Sequence, residues 1–159
     1  VNLGPLTVKM GDCSKGRALL EEGVNIARKT RHQLFLDIPL YLLGVLAAQD
    51  KDFSRAKAWY TECLRFEREN GETRQIARCL IGLSKIALAE NYFEQAARLL
   101  GAAELQIEAK GTWWDEDVDQ AERDRLTKQL LTQLNEEGFA AALAKGRGMS
   151  IDEVLAFSL

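Results

Sequence analysis

Proline occurs only twice in the 159 residues, at Pro5 and Pro39, and histidine once, at His32. Helix-breaking residues are therefore scarce in a chain rich in Ala, Leu, Glu, Arg and Lys, all of which favour helix, so an all-α fold is expected. The three cysteines, Cys13, Cys63 and Cys79, include no CxxC pair. With one histidine they suggest neither a disulfide framework nor a zinc site, and they read as small apolar fillers in a reducing compartment. No apolar run approaches the ~18 residues of a spanning helix, and no basic stretch followed by a long apolar one opens the chain. A cytoplasmic location is the expectation. An excess of one charge is also missing: 21 basic residues stand against 24 acidic ones, a formal charge of -3. Such a balance gives no overall attraction to nucleic acid or to anionic lipid.

What is present is internal repetition. Asp12 to Leu20 aligns with Asp52 to Tyr60 and with Tyr92 to Leu100, an offset of 52 − 12 = 92 − 52 = 40 residues. Upstream, Leu43-Gly44-Val45-Leu46-Ala47 matches Leu83-Ser84-Lys85-Ile86-Ala87, and Leu3-Gly4 falls at the same offset. Each unit reads as two helices, A then B. Leu40, Leu43 and Ala47 on helix A, and Ala56, Tyr60 and Cys63 on helix B, recur at three- or four-residue intervals, as one buried helix face requires. Gly44 or Ser84 on A and Ala56 or Ala96 on B are small enough for close backbone approach. A lone hairpin cannot cover its own apolar face, so neighbours must stack.

Leu40, Leu43-Gly44, Ala47, Ala56 and Tyr60 together resemble the tetratricopeptide repeat. Its pattern has a large apolar residue, Leu-Gly and Ala on helix A, then Ala and an aromatic four residues later on helix B. The unit of 40 residues exceeds the family's usual ~34, and the family's closing-turn proline is replaced by Asn70-Gly71, with Gly71 expected to supply a left-handed cap. A narrower resemblance runs through Ala96 to Glu104, Gly138 to Arg147 and Met149 to Ala156. These segments are similar to the C-terminal ends of bacterial multidomain regulators, such as the large ATP-dependent LuxR-type transcription factors and related signal-transduction NTPases. That resemblance implies a sensor or partner-binding arm excised from a longer protein.

The expected architecture is a superhelix of stacked antiparallel helical hairpins over residues 1–117, its first unit truncated, closed by capping helices over 118–159. Leu126, Leu130 and Leu134 mark an amphipathic helix with one apolar stripe, and Phe139 and Leu143 continue the pattern on a shorter one. Ser150 and Glu153 have capping-box spacing at the start of a last helix. Between repeats and cap, Gly111 to Asp117 reads as a loop carrying Trp113 and Trp114, which are either binding anchors or plugs of the joint between repeats and cap.

Enzymatic motifs are not assembled here. Gly11 to Ala18 has the spacing of a phosphate loop, but Arg17 replaces its lysine, Ala18 its hydroxyl, and no strand precedes it. His32 sits in an apparent turn, without a nucleophile at a definable spacing. The carboxylates at Glu21-Glu22, Asp115-Glu116-Asp117 and Glu136-Glu137 fall on polar faces or loops. Neither an enzyme nor a cofactor or metal is expected.

The resemblance implies that helix A lines a concave groove. Its open positions are Ile38, Tyr41, Val45 and Gln49 in the second unit, and Arg78, Ile81, Lys85 and Ala89 in the third. Such a surface suits an extended protein segment with carboxylates, to which the two cations donate. Two alternatives stay open: Ile38, Val45 and Ile81 pack between hairpins, or the groove near Tyr41 and Arg78 takes a sugar or metabolite. Self-association is expected through an N-terminal apolar face centred on Leu3, Leu20 and Val24.

Overall fold

A computed structural model describes residues 10–30, 35–110 and 116–157. All regular structure among them is helical: α1 (Met10–Thr30), α2 (Asp37–Gln49), α3 (Phe53–Asn70), α4 (Ile76–Ala89), α5 (Phe93–Lys110), α6 (Glu116–Arg147) and α7 (Ile151–Phe157). No helix among the described residues is long and apolar enough to cross a membrane. His32, Trp113, Trp114 and Leu3 lie outside the described residues.

Helices α2 and α3 pack together, as do α4 and α5, and the two hairpins repeat one another in detail. After α2 the chain turns through Lys51 at φ 60°, and after α4 through Asn91 at φ 66°. In the first turn Lys51 N donates to the Ala48 carbonyl and Asp52 N to Ala47; in the second, Asn91 N donates to Leu88 and Tyr92 N to Ala87. These are the same two bonds moved on by forty residues, and both cap otherwise unsatisfied carbonyls at a helix end. Ion pairs follow the same register. Arg17 of α1 pairs with Asp50 beyond α2, and Lys57 of α3 pairs with Glu90 beyond α4.

The core explains the placement of the small residues. Ala56 and Ala96 are wholly buried. A Cβ on Gly44 would come within 2.5 Å of the Tyr60 ring, and one on Gly82 within 2.6 Å of its other edge, so Tyr60 fits between α2 and α4 only because both faces lack side chains. Ser84 can occupy the position equivalent to Gly44 because its hydroxyl donates to the Ala96 carbonyl at 2.7 Å. Cys63 and Cys79 are also fully buried, and burial pushes the Cys79 thiol well above its usual range. A thiol held neutral in this way is a poor nucleophile.

Gly71 ends α3 in the left-handed conformation at φ 67°. One turn back, the wholly buried Glu67 reaches across to α4, where both its oxygens accept from the Gln75 N–H, at 2.8 and 2.9 Å. Gln75 makes no cap bond with its own side chain. The start of α4 is thus capped from the preceding helix.

Helix α6 is broken at Asn135 (φ 58°, ψ 174°). The Asn135 side chain accepts from Gly138 N at 2.9 Å and so caps the second half. Leu126 and Leu130 on the first half and Phe139 on the second are buried, as their spacing requires. Ahead of α7, Ser150 N donates to Glu153 and Glu153 N to the Ser150 hydroxyl, at 2.7 and 3.2 Å, which completes the expected capping box. Helix α7 is fixed by Arg68 pairing with Asp152, by Gln95 donating to the Phe157 carbonyl at 3.3 Å and by Arg98 lying 5.3 Å over the Phe157 ring.

The N-terminal face differs from the expectation. Val24 is wholly buried and Leu20 packs on the core, because α1 turns that side toward α2; the exposed large apolar residues described on α1 are Leu19 (69%) and Ile26 (53%).

Candidate binding cleft

An open cleft of about 550 Å³ lies between the end of the α4–α5 hairpin and the first half of α6. One wall comes from the last turns of α4 and the following turn: Lys85, Leu88, Ala89, Asn91 and Phe93. The other wall is a single face of α6, with Glu122, Arg125, Leu126, Gln129, Thr132 and Gln133 recurring every three or four residues. This α6 face lies beside the buried stripe of Leu126 and Leu130, and Leu126 belongs to both. Lys85 donates to Glu122 at 2.7 Å and ties the walls together.

The chemistry of the cleft is that of reversible recognition. Leu88, Phe93 and Leu126 supply an apolar floor, while Asn91, Gln129, Gln133 and Thr132 supply amide and hydroxyl groups. Amides both donate and accept, so such a row can match the backbone of another chain. Arg125 enters no hydrogen bond or ion pair with the described residues. With two cations, Lys85 and Arg125, against one carboxylate, Glu122, the local formal charge is positive by 2 − 1 = 1.

Titratable groups with displaced pKa values lie elsewhere and serve the packing. Burial raises the Tyr60 hydroxyl far above its ordinary value, leaving it neutral. Desolvation raises the half-buried Glu104, whereas the Arg98 guanidinium holds Glu94 down and Arg147 does the same for Glu108. No group of three or more His, Cys, Asp and Glu among the described residues is placed to hold a metal ion. A second depression, beside Arg17, Asp50, Arg55 and Trp59, holds about 10 Å³. That is room for no more than about one water molecule.

The residues expected to line a groove are divided by the structure. Lys85 and Ala89 line the cleft. Ile81 is 4% exposed and belongs to the core, because α4 is packed among α2, α3, α5 and α6, and not to a groove wall. Tyr41 and Val45 are half-buried against the core, with the Tyr41 ring 6.1 Å from that of Tyr60, while Ile38 and Gln49 are exposed away from the cleft. Arg78 is half-buried on α4. The α6 wall lies outside that expectation, since the leucine stripe of this helix reads as a cap. The available signal was the row Arg125, Gln129, Thr132 and Gln133 beside the leucine stripe, polar without the alternating charges of a purely solvated face. The segment resembling a phosphate loop is instead part of helix α1.

No protein-family model matches the chain, and neither the curated proteins nor the solved structures contain a significant match to it.

Proposed function

We propose that the chain is a protein-binding scaffold of tetratricopeptide-like hairpins, and that the cleft between α4 and α6 holds an extended, carboxylate-bearing segment of a partner protein. In this reading α6 and α7 form the cap of the stack, and the scaffold is the partner-binding arm of a larger bacterial regulator. The observation that carries the cleft assignment is the combination of an apolar floor with a row of amides in an open channel. An enclosed polar pocket would suit a sugar or metabolite better, since small ligands are recognised by near-complete enclosure.

Geometry supports an extended occupant. Gln129 and Gln133 stand four residues apart, about 6 Å along α6, and same-side groups of an extended chain recur about every 6.6 Å. Flexible amides bridge that difference. Arg125 then offers a planar fork to a carboxylate on the bound segment.

Fluorescence anisotropy with two labelled pools of short random peptides, one enriched in Asp and Glu and one in Lys and Arg, tests this. Saturable binding of the acidic pool is expected, weakened by about tenfold, or ~1.4 kcal/mol, in Arg125→Glu. Equal binding of both pools, or binding unaffected by Arg125→Glu, removes the cleft from the account.

A further inference from the structure

The first half of α6 continues the register of the helices before it. Helices α2, α4 and α6 start at Asp37, Ile76 and Glu116, spacings of 76 − 37 = 39 and 116 − 76 = 40 residues. Leu126 falls forty residues after Ile86, and both are buried. Arg125 falls forty residues after Lys85, so the two cations of the cleft hold one repeat position on successive helices. Glu122 departs from the series. Its counterpart on α4 is Gly82, where a Cβ would stand 2.6 Å from the Tyr60 ring.

The two cations differ in their partners. Lys85 is held by Glu122 at 2.7 Å, whereas Arg125 enters no hydrogen bond or ion pair with the described residues. Glu122 precedes Arg125 by three residues on the α6 face that lines the cleft, so their side chains leave the helix about 5–6 Å apart. Same-side groups of an extended chain recur at about 6.6 Å. The Glu122 carboxylate thus fills the place that a second carboxylate needs when the first, two residues away on a bound segment, is on Arg125. Both members of the Lys85–Glu122 pair are partly exposed, at 51% and 34%. Such pairs contribute little in water, so one carboxylate can replace another on Lys85 at small cost.

We propose that Glu122 is an internal competitor for the acidic segment, holding Lys85 in the empty cleft against the second of two carboxylates spaced two residues apart. This rests on the reading of the cleft as a site for an extended acidic segment. In the parent chain the second carboxylate gains Lys85 only as Glu122 loses it, and the released Glu122 then repels the newcomer. A segment with paired acids therefore binds little better than one with a single acid. Without the Glu122 charge, Lys85 becomes a second carboxylate subsite and the cleft selects paired acids. Specificity is a difference of affinities, and here a built-in repulsive group sets it.

Fluorescence anisotropy with two labelled, otherwise uncharged peptides tests the proposal. One carries two aspartates separated by a single residue; in the other the second aspartate is replaced by asparagine. Glu122→Gln keeps the side-chain size and is expected to raise affinity for the paired-acid peptide by about tenfold. For the single-acid peptide the gain is expected to stay below about threefold, from longer-range charge alone. Adding Lys85→Met to Glu122→Gln is expected to abolish the preference. Equal gains for both peptides overturn the proposal, as does a loss of affinity in Glu122→Gln, which would make the pair a clamp on the cleft walls. Binding of both peptides with no gain in Glu122→Gln overturns it as well and leaves the reading of the cleft standing. If neither peptide binds either protein, that reading falls and the proposal with it.

Discussion

Gly146 of α6 passes so close to Arg98 of α5 that a Cβ built on it would stand 1.8 Å from the Arg98 carbonyl oxygen. Gly101 of α5 returns the arrangement: its added Cβ would lie 2.2 Å from the carbonyl oxygen of Leu143. The obstacle in both cases is backbone, which cannot rotate aside. Gly146→Ala and Gly101→Ala are each expected to lower unfolding free energy by about 2 kcal/mol, the overpacking cost exceeding the gain of up to ~1 kcal/mol in helix propensity. Gly23→Ala on α1 meets nothing within 4 Å among the described residues and is expected to stabilise by up to ~1 kcal/mol. Urea denaturation of the three variants checks the opposed signs.

Glu67 caps α4 from inside the protein. Glu67→Ala leaves the Gln75 N–H without its acceptor and opens a cavity beside Cys63, so a loss of about 3 kcal/mol is expected. Glu67→Gln keeps one acceptor oxygen and is expected to lose less. Chemical denaturation of both variants measures the difference, and equal losses would show that packing alone matters at this position.

Stability near the α5–α6 contact has opposed acid responses. Glu94 and Glu108 are held below their ordinary values by Arg98 and Arg147. Their contribution is present above the unfolded value of about 4.3 and is lost as pH falls through the folded value. Glu104 is raised by desolvation. A raised carboxylate favours folding below about pH 4.3 and loses that contribution as pH rises through its folded value. Glu104→Gln is therefore expected to gain stability relative to the parent at neutral pH and not in acid, while Glu108→Gln loses stability at neutral pH only. Denaturation curves at both pH values read the two slopes.

Much of the helical layout was legible because its signals are local. Gly71 announces the end of α3, Ser150 and Glu153 announce the start of α7, and the leucine stripe announces α6. The turns after α2 and α4 were less legible, since Lys51 and Asn91 take a conformation usually marked by glycine. Forty-residue spacing located them where residue type did not. The cleft was hardest to read: Lys85 and Ala89 follow from the repeat, but the opposite wall depends on how α6 returns across α4, a long-range relationship that no periodicity encodes. Ile81 shows the same effect, since its position on helix A fits a groove and its burial is decided by neighbours.

The most direct test of the scaffold account is a thermal-shift comparison of the parent chain and Arg125→Glu against a metabolite library and the acidic peptide pool, because a ligand bound only by the native state must raise the midpoint. The account predicts saturable shifts with the acidic peptides that shrink in Arg125→Glu, and none with the metabolites. A saturable shift produced by a metabolite alone, and equal in both proteins, would contradict it.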